Sequence, residues 1–323
     1  MLETFLGAAI YILALVFAGV AIRVAGERAK VLKRPMDACF RSLNVFVVWA
    51  VLPLVVFFSI ARYSLPEILG FGNALLLAFV GLGVCFVSSV MISHVAKDDR
   101  KTTVAITMNS AFMNVTYLGF PVVYALLGSG GLGPAALYAM GIGIPNLIFG
   151  IMLVSSAAKK RLTPGFLIEN VITFPAAFML IVALLFVGFG APLPGEVLEF
   201  FDVHLAKLFF ALMLLVVGYQ MIIVRPRKYA GLLTTVGAIR FVVCPLVTYL
   251  GILALGLHVA GPLPDLTPKP ALIQAVMPPA IFNLVLAYNY KLDLKLYGAL
   301  IFYLTLVSLF VVVPALLFFM SIL

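Results

Sequence analysis

Apolar runs of roughly 20 residues follow one another along nearly the whole chain, separated by short polar stretches, the pattern of a helical protein that crosses a membrane many times. The runs predict ten spans, at about 3–22, 42–61, 71–94, 103–127, 134–157, 165–189, 203–223, 230–256, 270–289 and 295–320. Two of them are interrupted. In residues 109–127, Pro121 has no N–H for the carbonyl four residues back and its ring crowds that carbonyl. A break near Gly119–Pro121 is therefore expected, leaving the Tyr117 carbonyl without an intrahelical partner and placing Asn114 about two turns down the preceding helix. In residues 274–288, Pro278 and Pro279 free the carbonyls of Gln274 and Ala275, and a second half-helix starts at Ala280. Backbone of this kind survives at membrane depth only inside protein or against a wet cavity. Paired interruptions at matching places in two halves of a chain point to the binding site of a secondary transporter.

Charge supplies the topology. The chain is 64% hydrophobic and 10% charged, against about a quarter charged in soluble proteins. The loop after span one carries six basic residues between Arg23 and Arg41. The loops after spans three, five and seven carry three each, and Lys291 and Lys295 follow span nine. The opposite side holds only Arg62, Lys207 and Lys269. The positive-inside rule then puts both termini outside (extracellular or periplasmic) and the odd-numbered loops in the cytoplasm, in a plasma or inner membrane. The net charge of +9 is spread over these loops, where lipid headgroups rather than nucleic acid are the expected partner. The first run has no basic stretch ahead of it and no cleavage-like site, and is read as a retained span. Ten spans make five per half, residues 1–157 and 163–323, so homologous halves would lie inverted with respect to each other.

Each half-helix that restarts after a break offers N–H groups and the positive end of a helix dipole, a seat for a carboxylate. Asn114, Asn146 (after Pro145), Gln274 and Asn283 are the polar side chains expected to converge there. For Asn114 and Asn146 the alternative is a hydrogen bond that holds two helices together. Arg240 lies well inside span eight, where it could neutralise an anion, snorkel to the cytoplasmic surface or hold backbone carbonyls. Every Asp and Glu, Asp265 included, falls near a span end or in a loop, which speaks against proton coupling through a buried carboxylate. His94, His204 and His258 are isolated at span ends, and Cys39, Cys85 and Cys244 lack metal-ligand spacing, so no metal or cofactor is expected. No hydrolase, zinc-protease or phosphate-loop motif is present, and an enzyme is not expected.

Asn114-Val-Thr-Tyr-Leu-Gly-Phe-Pro, Ala125-Leu-Leu-Gly and Gly131-Leu-Gly-Pro, with Met277-Pro-Pro-Ala, Leu286-Ala-Tyr-Asn-Tyr and Asp293, resemble the signatures of the auxin efflux carrier (PIN-like) family. The resemblance implies a fold similar to bile-acid sodium symporters. Spans one, two, six and seven would form a scaffold, and spans three to five and eight to ten a transport domain. It further implies elevator-type alternating access, a homodimer through the scaffold, and a small organic anion as substrate: indole-acetate in plant members, dicarboxylates in bacterial ones. By the resemblance, Asn114 and the Pro121 break map onto the anion-binding half of the crossover; with Tyr117, Gly119, Asn146, Arg240, Gln274, Pro278, Pro279 and Asn283 they make up the residues expected at the substrate site. Asn283 stands where plant members place a second proline, and their long central loop is missing here. The competing expectations are a sodium- or proton-coupled symporter of a neutral or amphipathic solute, and a membrane receptor that transports nothing.

Overall fold

A computed structural model of the chain describes residues 2–190, 193–257 and 266–322; His258 and Asp265 lie outside them. Among the described residues, seven continuous helices are long and apolar enough to cross a membrane: α1 (Ala9–Arg28), α2 (Val31–Ala61), α3 (Leu65–Ala96), α6 (Ser129–Ala157), α9 (Gly195–Gln220), α10 (Pro226–Ala254) and α13 (Leu294–Met320). Between α3 and α6 lie two half-helices, α4 (Arg100–Ala111) and α5 (Gly119–Leu127). α7 (Pro164–Ile172) and α8 (Pro175–Gly188), bent by 57° to each other, are together long and apolar enough for an eighth if the pair is one span. Two further half-helices, α11 (Pro268–Ala275) and α12 (Ile281–Asn289), stand between α10 and α13. None of the four half-helices exceeds 12 residues, too few to span hydrocarbon alone.

Several boundaries differ from those read off the apolar runs. α2 begins at Val31 rather than near residue 42, and α3 at Leu65 rather than near 71. Both extensions are polar or amphipathic turns that continue a helix past the lipid, which hydropathy cannot register. The long helices are also not uniform. Residues Val47–Val51, Ile239–Val243 and Ser308–Val312 widen into π turns, each ending two residues before a proline, Pro53, Pro245 or Pro314. Each proline removes one ladder hydrogen bond, and the wider turn just ahead of it absorbs the mismatch. A fourth π turn, Asn146–Gly150, follows Pro145.

Packing divides the helices into two neighbourhoods. α1 lies along α9 and touches α2, while α8 lies along α2. α3 packs against α4, α6 and α10, and α13 against α10 and α12. The α1–α9 contact is backbone on backbone: a methyl placed on Gly19 would sit 2.8 Å from the Tyr219 nitrogen and 2.9 Å from the Gly218 Cα. Small residues permit such approach, which drives helix association where lipid removes the hydrophobic drive. Phe178, Met91 and Leu250 remain exposed, as side chains that meet acyl chains should. At the start of α4 the Asp99 carboxylate accepts the Thr102 N–H at 2.8 Å; its hydrogen bonds to Thr102 hold its pKa below the usual carboxylate range, as an N-cap does.

Candidate functional site

The two interruptions touch. Between α4 and α5, residues 112–118 leave the helical path, and between α11 and α12 residues 276–280 do the same. Where they cross, the Asn114 N–H donates to the Pro278 carbonyl at 2.8 Å and the Ala280 N–H to the Phe112 carbonyl at 2.9 Å. Met113 and Pro279 form an antiparallel bridge, one step of β-ladder inside an otherwise helical core. Each break thus satisfies the other's backbone, the condition for unwound chain at this depth.

The first break lies upstream of the place that Pro121 suggested. Pro121 sits in the first turn of α5, where a missing N–H costs little. The Gly119 N–H goes to the Asn114 carbonyl at 2.9 Å, Phe120 to Thr116 at 3.3 Å and Val122 to Leu118 at 3.1 Å. Pro121 therefore leaves the Tyr117 carbonyl unserved within the helix, as expected, but Asn114 belongs to the break itself rather than to a helix two turns away. Gly119 is required by proximity: a methyl there would overlap the Gln274 Oε1. That oxygen has no conventional donor and packs on the glycine Cα, while the Gln274 Nε2 donates to the Val115 carbonyl at 3.1 Å.

Asn283 ties the crossing together. It is fully buried, and its Nδ2 donates to the Met108 carbonyl at 2.9 Å and the Phe112 carbonyl at 3.2 Å. Its Oδ1 therefore faces outward and accepts from the Asn146 Nδ2 at 3.3 Å. This fixes the Asn146 amide with its Oδ1 turned away and unpartnered. The Asn114 Nδ2 is likewise buried and unpartnered.

Both of those amides line one cavity, of about 1010 Å³ including its open mouth. Its wall comprises Asn44, Val48 and Leu52 of α2, Met113–Tyr117 of the first break, Ile142–Leu147 of α6 without Ile144 and Pro145, Phe174, Gln220 of α9, and Ala280–Phe282 with Val285. No Lys, Arg, Asp or Glu is among them. The first turn of α12 enters the wall, and the N–H groups of Ile281 and Phe282, at the head of that helix, lack intrahelical acceptors. The head of α5 differs, since its early N–H groups are already used. Asn44 is a hub: its Oδ1 accepts from the Tyr117 hydroxyl and from the Gln220 Nε2, both at 2.9 Å. A more open second cavity shares Asn44, Gln220 and Val285 with the first and carries Arg23, Asp37 and Arg41 at its rim.

Of the residues read from sequence, Asn114, Tyr117 and Asn146 face the cavity. Gly119, Pro121, Gln274, Pro278, Pro279 and Asn283 build the crossing behind it and are absent from its wall. Arg240 neither lines the cavity nor snorkels. It is fully buried, and its guanidinium donates to the carbonyls of Ser110 (2.6 Å), Ala275 (2.6 Å) and Met277 (3.1 Å), the carbonyl contact that was one of the three expectations. Its position on the π turn Ile239–Val243 accompanies this inward course. Sequence reading missed Asn44 and Gln220; each lies within three residues of the end of an apolar run, where a polar residue passes for interface.

Residues 12–164 match the family model described as "Membrane transport protein". A protein of Methanothermobacter thermautotrophicus, described as an uncharacterized transporter, is 24% identical over 280 residues, 83% of this chain and 85% of its own length. An uncharacterized transporter of Methanocaldococcus jannaschii is 25% identical over 285 residues, 84% of this chain and 87% of its own. With its stack of apolar helices and two touching breaks, the chain is built as a multi-pass membrane protein, and it is similar to the membrane transport protein family over residues 12–164 and to these two archaeal transporters over most of its length, with which its PIN-like signature agrees.

Proposed function

We propose that the chain is a secondary carrier of a small organic anion, bound in the cavity at the crossing with its carboxylate toward the Asn114 amide and the head of α12. The observation that carries this reading is the Asn114 Nδ2: a buried donor without a partner, in the wall of a charge-free cavity, beside a helix start that favours negative charge. An unpaired buried donor is costly, and a ligand acceptor would satisfy it. The apolar wall from Val48 to Phe282 suits the organic body of the substrate.

In this reading each pair of half-helices, α4 with α5 and α11 with α12, is one interrupted crossing, bringing the spans to ten in two inverted sets of five. α1, α2, α7–α8 and α9 serve as scaffold, and the remaining helices move as a transport domain in an elevator cycle between inward and outward states. The basic rim of the second cavity supports a conformation open to the cytoplasm. On the other side, Tyr124 donates to the Asp202 carbonyl at 2.9 Å and Tyr63 to the Gly130 carbonyl at 2.6 Å, contacts that would break when the domain moves. A plasma or inner membrane with both termini outside, and a scaffold-mediated homodimer, complete the proposal.

The test is uptake into proteoliposomes, using carboxylates selected by thermal-shift screening with malonate and indole-acetate included, since a bound ligand raises apparent stability. A carboxylate should enter sealed vesicles, and Asn114→Ala should remove that uptake while the protein stays folded. Binding without flux would instead indicate a receptor, and undiminished uptake by Asn114→Ala would exclude this site.

A further inference from the structure

We infer that Arg240 is a tethered cation, filling a seat of backbone carbonyls that would otherwise suit a diffusible alkali cation and standing as the fixed counter-charge behind the anion. The inference rests on the transport reading above and deepens it.

The seat is made by the two half-helices that end at the crossing. Ser110 lies in the last turn of α4, Ala275 closes α11, and Met277 follows in the break. Their three carbonyls all point at one guanidinium. Carbonyls at half-helix ends in a broken span are the groups that hold coupling cations in carriers of this general build. Each helix C-terminus carries about half a negative charge, so two converging ends offset about one positive charge, the charge of one guanidinium. No carboxylate does so: among the described residues the ion pairs are Arg23–Glu27 and Arg62–Asp202. The other guanidinium contacts are soft: the Met113 sulfur at 3.3 Å, the Cys85 sulfur at 3.8 Å and the Cys244 thiol. A buried arginine without a carboxylate would be hard to sustain unless these dipoles held it.

The seat and the cavity share the same bridge. Met113 touches Arg240 through its sulfur, lines the cavity, and pairs with Pro279 across the crossing. The guanidinium therefore sits behind the anion site as a fixed counter-charge, doing what a sodium ion in that place would do, and it never leaves.

Two measurements on the purified full-length protein decide the matter. The first is thermal unfolding in detergent, with sodium, potassium or choline as the chloride salt at equal ionic strength. The wild type should melt at the same temperature in all three. Arg240→Ala should melt lower in choline and recover in sodium or in millimolar guanidinium. If that variant can be isolated only when guanidinium is present during extraction, the seat is likewise supported; isolation in neither condition overturns it, as does a variant that ignores both cations. Selective stabilisation of the wild type by sodium also overturns it. The second is uptake of whichever of labelled malonate or indole-acetate the wild type carries. Arg240→Gln, which keeps amide donors and loses the charge, should lower uptake at least about tenfold, with Arg240→Lys in between; wild-type rates for Arg240→Gln would overturn the proposal. A wild type that carries neither probe counts against the transport reading, while the unfolding measurement still judges the seat.

Discussion

A buried amide at the crossing matters through the number of carbonyls it answers. Asn283 donates to two and accepts from Asn146. Asn283→Ala would leave the Asn146 donor without its acceptor, at about 1–3 kcal/mol for a buried group left unsatisfied, and would take the second donor from the Met108 and Phe112 carbonyls, which keep the Phe112 and Ala280 N–H groups. The expected outcome is a lower melting temperature of the solubilised protein, together with lost uptake. Tyr117→Phe makes the contrasting prediction: it removes only the hydroxyl bond to Asn44, leaving Gln220 to hold that amide. Its stability should change by about 1 kcal/mol or less, and any change in uptake should appear in KM, read from concentration-dependent initial rates. Gly119→Ala should be worse than its size suggests, since the added methyl meets the Gln274 amide head-on. Overpacking of this kind costs about 1–3 kcal/mol, measurable as a drop in melting temperature, and Gln274→Ala in the same chain should recover part of it.

Glycine also governs how whole helices approach. α1 and α9 meet with Gly19 and Gly218 face to face, and a methyl on Gly218 would overlap the Val16 carbonyl. Gly218→Val should force the pair apart and reduce the yield of monodisperse protein in size-exclusion chromatography. Gly83→Val in α3, where nothing lies within 4 Å, should be tolerated, since that position has open space around it. The half-helices follow a different rule. α4 and α11 end where they do because the crossing gives their last carbonyls better partners than another helical turn would: Arg240 for Ser110 and Ala275, and the Ser308 hydroxyl for Val276 at 2.9 Å.

At the level of the whole molecule, the second, more open cavity is lined in part by Arg23 and Arg41, and a cysteine would report which side of the membrane that end faces. Cys39 is exposed while Cys85 and Cys244 are buried. A membrane-impermeant maleimide should therefore label one site, in inside-out vesicles and not in intact cells; labelling of intact cells would reverse the assigned orientation. Much of this was legible in the sequence. Hydropathy fixes which segments enter lipid, because transfer energy adds along a run. Proline marks a break to within a turn or so, because its missing N–H is a local fact. The positions of Asn114, Asn146 and Tyr117 at the cavity could be anticipated for the same reason: polar groups in apolar spans must face protein or water. The chain's order alone could not say that Asn44 and Gln220, 176 residues apart, share one wall, nor that Gln274 and Asn283 turn behind it. It also left open whether Arg240 runs to the headgroups or to the Ser110 and Ala275 carbonyls. Those outcomes depend on the rotation of each helix about its axis and on how closely its neighbours approach, quantities set by glycine contacts, π turns and the crossing. No single span determines them, so only the packed structure could.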